Sequence, residues 1–108
     1  MRFEIARLDD VRGERERSGE LSLEFLRVPA LSLSVYELPA GAEDPQKPHA
    51  EDEVYYVVGG RAKFDVDGEQ RPIAPGDVVF VAAEVPHKFV EIEDDLTLLV
   101  VFAPAKSR

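Results

Sequence analysis

Apolar and polar residues alternate at period two through most of this chain. Leu21, Leu23 and Phe25 alternate with Ser22, Glu24 and Leu26, and Leu31, Leu33 and Val35 alternate with Ser32, Ser34 and Tyr36. Successive side chains of a strand point to opposite faces, so this pattern fits half-buried strands and not helices. Phe64-Asp65-Val66 runs into Asp67-Gly68, and Glu69 to Ile73 follows. Asp-Gly between two such runs marks a hairpin, because its turn needs positive φ at both central residues. Val78 to Val81 and Leu96 to Phe102 are apolar runs of the kind expected to be buried on both faces. Val54 to Val58 reads as a further buried strand, stopped by Gly59-Gly60, and Phe89 to Ile92 continues a strand that starts near His87. Phe3 to Leu8 reads as a strand with no nearby hairpin partner, to be paired with a distant strand or a second subunit.

No stretch shows a helical period. Asp9 to Glu20 is charged, contains Gly13 and Gly19, and is expected to be a loop with a short helix around Leu8 to Arg12. Pro39 to Pro48 is a long turn, and Pro104 to Arg108 a frayed tail. About eight or nine short strands with a turn every ten residues or so predict an all-β protein, an antiparallel sandwich or barrel. A double-sheet jelly roll suits the length.

The 108 residues fit a single domain spanning 1–108. The net charge of −9 argues against a nucleic-acid partner, which would need a basic face, and against an anionic membrane surface. The early arginines at 2, 7, 12, 15, 17 and 27 interleave with acids and read as solvated surface. There is no cysteine, so thiolate catalysis is excluded and any metal must take N and O ligands. No segment approaches the roughly 20 apolar residues of a membrane span. Met1 to Arg7 lacks the apolar stretch of a signal peptide, which makes the cytoplasm the expected location.

The chain has two histidines. His49 lies four residues before Glu53, and His87 follows Pro86 at a separate strand start. Two imidazoles and a carboxylate would form a metal site with open positions. On a straight strand His49 and Glu53 would be about 13 Å apart, too far for one ion. The chain must therefore bend at Ala50-Glu51-Asp52, and His87 reaches the same point only if the sheet closes on itself. Either histidine alone would more simply be a loop or strand-start residue. Glu51 and Asp52 read as solvated loop carboxylates. Phe64, Phe80, Phe89 and Phe102 read as core, and Glu84 and Glu91 as solvent-facing. Of Tyr55 and Tyr56, which alternate, one should be core and the other should line a pocket or a subunit interface.

These segments resemble the cupin superfamily, in its small single-domain, conserved-barrel form. Its first motif runs Gly, five residues, His-x-His, three or four residues, Glu, six residues, Gly. Gly41, His49, Glu53 and Gly60 fit it, with Lys47 at the first histidine position. Its second motif runs Gly, five residues, Pro-x-Gly, two residues, His, three residues, Asn. Gly76 and His87 fit it, while Ala82, Glu84 and Glu91 replace Pro, Gly and Asn. The motifs cover about residues 41–60 and 76–91.

The resemblance implies an antiparallel double-stranded β-helix, a jelly-roll barrel, with a divalent Fe, Mn, Ni or Zn ion held by His49, Glu53 and His87. The fourth ligand would fall on Lys47, a poor ligand while protonated. Gln46 or Glu51 are the substitutes, or water completes the site; alternatively Lys47 pairs with Glu51 or Glu53 and weakens the metal. The resemblance points to a dioxygenase-like reaction on a small organic acid, phenol or diketone. The alternatives are a non-catalytic module for a small ligand or a metal, and a metal-free isomerase with His87 as base and Tyr55 or Tyr56 as acid. Small cupins commonly dimerise, so a homodimer is expected. Whether the protein turns over a substrate is left open by the residues.

Overall fold

The computed structural model describes residues 2–108. One helix, α1 (Leu8–Ser18), precedes six strands: β1 (Ser22–Val28), β2 (Leu31–Leu38), β3 (Asp52–Val66), β4 (Glu69–Ile73), β5 (Val78–Val81) and β6 (His87–Ala103). All pairings are antiparallel, in the order β1-β2-β6-β3-β4, with β5 added to the first half of β3. The all-β antiparallel expectation is met, but with six strands instead of eight or nine. Two of them, β3 and β6, are 15 and 17 residues long.

β3 and β6 form one bent ribbon that sets the shape of the molecule. Their register shifts three times between Val57 and Lys63. Gly59-Gly60 therefore bends the strand and does not stop it. Gly60 has φ +95°, and a Cβ there would lie 2.7 Å from Leu96 Cα and collide with the Asp95 carbonyl, so the ribbon folds this tightly only at a glycine. The bend brings the two halves face to face. Tyr55, in the first half, meets Phe89 and Phe64 of the second, with ring centroids 5.0 and 5.9 Å apart. Leu38, Val57, Ile73, Leu96, Leu98 and Val100 fill the same core. The Asp67-Gly68 hairpin forms as expected, with positive φ at both residues.

Several local expectations are corrected. α1 extends to Ser18, well past Arg12. Asp9 and Asp10 sit at its positive end and Arg15 and Arg17 at its negative end, and Gly19 terminates it at φ 74°. Only Val11 is buried, so the helix carries no apolar period to be seen in the sequence. Residues 2–7 form no strand, and Phe3 and Ile5 lie exposed. β5 is covered on one face only: Val81 is buried, but Val78 and Phe80 are exposed, so Phe80 is not core. The tail is not frayed. Lys106 N–H donates to Ser32 Oγ at 2.9 Å, and the Ser107 hydroxyl donates to Glu51 Oε2 at 2.5 Å. That bond explains why Glu51 is buried and not solvated. Glu84 and Glu91 do face solvent.

Candidate metal centre

β3 begins at Asp52, directly after the bend, and places Glu53 at its first inward position. His49 precedes the bend, and its backbone carbonyl accepts from Glu84 N–H at 2.7 Å. His87 opens β6 opposite Val66, at the far end of the folded ribbon. Closure brings them together: Glu53 Oε1 lies 3.2 Å from His49 Nδ1 and 3.1 Å from His87 Nε2. One ligand atom from each of the three lies within 4.8 Å of the others.

This donor set fits a divalent metal. Bonds of about 2.1 Å give neighbouring ligand atoms about 3 Å apart, close to the separations seen. His87 Nδ1 lies 2.8 Å from the Val85 carbonyl, which can only accept. Nδ1 therefore carries the proton, and in the neutral ring the Nε2 lone pair faces the centre, as a metal ligand requires. Burial alone would raise the Glu53 pKa. The adjacent His49 and His87 imidazoles, His87 donating from Nε2 when its ring is protonated, outweigh it and hold the carboxyl at about 2. Burial disfavours the His87 cation, but the Glu53 carboxylate and the Val85 carbonyl outweigh this and raise its pKa. The centre is thus arranged for positive charge beside Glu53.

Tyr55 is both core and pocket. It is fully buried, and its hydroxyl lies 2.8 Å from Gln46 Oε1 and 3.0 Å from His87 Nε2. Burial and the Glu53 charge both raise its pKa, so it keeps its proton. Tyr56 points the other way and is 44% exposed.

The substitute ligands do not join the cluster. Gln46 spends its side chain on Tyr55 and Asp44. Glu51 is engaged by Ser107. Lys47 is exposed at the pocket wall, and no ion pair to Glu51 or Glu53 forms among the described residues. Asp44, which the sequence did not single out, holds the loop across the mouth. Its carboxylate accepts from Tyr36 Oη at 2.5 Å and from Phe89 N–H at 2.9 Å. Above His49 and Glu53, with His87 buried against Glu53, lies a pocket of about 350 Å³, walled by Ser34, Tyr36, Gln46, Phe102 and Lys106.

A family model described as the cupin domain matches residues 34–102, more than half of the chain. The chain belongs to the cupin family. An uncharacterised protein of Streptomyces coelicolor is 50% identical to this cupin over 101 residues, covering 94% of this chain and 96% of that one. Dimethylsulfoniopropionate lyase DddQ of Ruegeria pomeroyi is 36% identical over 59 residues, 54% of this cupin but 29% of the lyase. The lyase crystal structure matches with a TM-score of 0.66 at 30% identity, covering 70% of this chain and 39% of that one. This cupin therefore spans well under half of the lyase. A salicylate 1,2-dioxygenase from Pseudoaminobacter salicylatoxidans matches with a TM-score of 0.75 over 89% of this chain and 31% of that one; at 20% identity it bears on fold alone.

Proposed function

We propose that this cupin holds one divalent transition metal at His49, Glu53 and His87 and transforms a small organic molecule bound beside it. The observation that carries this reading is the convergence of both histidines on Glu53, with His49 and Glu53 lining a pocket sized for a small metabolite and His87 buried against Glu53. A bound divalent ion supplies Lewis acidity at its open positions. Glu53 contributes the charge, and Val85 fixes the His87 ring. The Tyr55 hydroxyl borders the pocket, oriented by Gln46, and keeps its proton, so it can position a bound molecule as a neutral polar group. The likeness to a lyase favours proton-transfer chemistry, an elimination or isomerisation. A dioxygenase-type reaction is the second reading, favoured by the two-histidine, one-carboxylate ligand set.

Metal content by elemental mass spectrometry tests the centre. The wild type is expected to hold close to one equivalent of a transition metal and His87→Ala to lose it. A wild type that takes up no metal on reloading overturns the reading. Dioxygen uptake by the iron-loaded protein with phenols, diketones or hydroxy acids would move the assignment to the oxygenase. Deuterium exchange at substrate carbon without such uptake supports proton transfer.

We also propose that two copies pair through the outer face of the sheet. Leu26, Leu33, Val101, Val54 and Phe80 are successive cross-strand neighbours, and so are Leu23, Val35, Leu99, Tyr56 and Val78. Two apolar rows thus cross five strands. Phe3 lies beside Leu26 and Val28 at one end of the first row. A second copy covers the uncapped end of these rows.

A further inference from the structure

The C-terminal segment 104–108 closes one side of the metal pocket, and it brings a lysine with it. Its backbone is fastened at several points. Ala105 N–H donates to the Pro29 carbonyl at 3.3 Å, Lys106 N–H donates to the fully buried Ser32, and Ser107 binds the buried Glu51. Arg108 donates to Glu24 at 2.5 Å. These contacts fix where the Lys106 side chain starts. Its Nζ lies 5.6 Å from the centre of the Phe102 ring, and the same ring stands 5.0 Å from the His49 ring, edge-on. One aromatic ring therefore separates the lysine ammonium from the proposed ligand set. Lys106 is half-buried, lines the pocket, and forms no ion pair among the described residues.

Of the four lysines, Lys63 has the one ion pair among the described residues, so Lys106 is marked by where it is held and not by lacking a carboxylate partner. Lys47 lines the same pocket and is likewise without an ion-pair partner among the described residues. Glu20 is the pocket's only other carboxylate besides Glu53, and it pairs with neither lysine. Lys88, also without an ion pair among the described residues, is simply exposed. Lys106 is instead held over an aromatic face, where a cation gains about 0.5–1 kcal/mol at an exposed site and more when desolvated. An anion entering the pocket would meet two ammonium groups at its wall before reaching the ligand cluster.

We propose that the pocket selects small carboxylates: Lys106, with Lys47 beside it, anchors the carboxylate, while a second oxygen of the same molecule turns toward His49, Glu53 and His87. The assignment rests on the metal-centre reading for its second contact only. The carboxylate anchor itself belongs to Lys106 and the tail.

The test is calorimetric binding of malonate and glycolate to the full chain, with malonamide and inorganic phosphate as controls, in wild type, Lys106→Met and Lys106→Arg. Zinc titration of the same proteins runs alongside. Lys106→Met is expected to bind zinc within about twofold of wild type and to bind malonate at least tenfold more weakly, with Lys106→Arg recovering most of the loss. Malonamide is expected to bind poorly to all three. Equal malonate affinity in wild type and Lys106→Met overturns the proposal, as does malonamide binding as tightly as malonate. Phosphate binding tighter than malonate overturns the carboxylate preference. If no protein binds zinc, the metal-centre reading fails on its own. Malonate titration of the metal-free proteins then decides the anchor: loss in Lys106→Met supports it, and no difference rejects it.

Discussion

Glu53 is the residue on which the proposed centre turns. Its side chain is 2% exposed, and its charge is kept by the two histidines against it. Replacing it by an isosteric amide removes the charge and leaves the volume. Glu53→Gln is expected to weaken zinc binding by at least a hundredfold in calorimetry. Tyr55→Phe is expected to lower it by about tenfold, the scale of a lost outer-shell contact, because the phenol keeps its proton and acts beside the ligands. A hundredfold loss in Tyr55→Phe would make Tyr55 a direct ligand instead. The three ligand candidates were legible in the sequence because each sits at a fixed spacing from a strand start or a glycine. Their support was not. Asp44 binds Phe89 N–H across 45 residues and Lys106 binds Ser32 across 74, and neither pairing leaves a local pattern. Glu51 was misread for the same reason, since the group that buries it lies 56 residues away.

At the scale of elements, the strands were readable because period two survives even where a strand is bent. The joins were harder. Gly59-Gly60 is an ordinary strand terminator in a linear reading, and only the approach of the Asp95–Leu96 backbone shows it to be a bend. The helix was read as ending near Arg12, short of its true extent to Ser18, because it is held by charge and not by an apolar stripe. Arg15 Nε lies 2.8 Å from Glu37 Oε1, Arg12 NH2 lies 3.0 Å from Oε2, and the Thr97 hydroxyl donates to Oε2 at 2.7 Å. Burial would raise the Glu37 pKa, but these three partners outweigh it and hold the carboxyl below its usual range. A depressed pKa in the folded state stabilises the protein above the unfolded value of about 4.3, and that stability is lost as pH falls through the folded value. Glu37→Gln is therefore expected to cost about 2 kcal/mol at pH 7, with the gap to wild type closing below about pH 4. Urea unfolding of both proteins at pH 7 and pH 3 measures it. A gap that does not change with pH would mean that Glu37 acts through packing and not through its charge.

For the molecule as a whole, the fold spends one face of the sheet on the core and pocket and leaves the other half-clad. α1 lies against β1 and β2, where Val35 is fully buried, but none of the described residues covers the far end of the two apolar rows at β3 and β5. Phe3, Ile5, Tyr56, Val78 and Phe80 are 75%, 88%, 44%, 68% and 64% exposed. At on the order of 200 Å² per large apolar residue, Tyr56, Val78 and Phe80 at the uncapped end offer about 350 Å², a little under half of the roughly 800 Å² per partner of a standard interface. A chain carrying nine net negative charges repels its own copies at long range, so pairing must come through a charge-free face. The two rows form such a surface, with no charged residue in either. Phe80→Glu is then expected to give a monomer by light scattering, near 12.0 kDa, where the wild type gives twice that. Because Phe80 is mostly exposed in the single chain, the variant should fold, with monomer stability changed by no more than about 0.5 kcal/mol. Arg71→Glu, on the exposed strand β4, is expected to leave the dimer intact. A wild type that is monomeric at high micromolar concentration would reject the interface, and would leave the paired rows as a face for some other apolar partner.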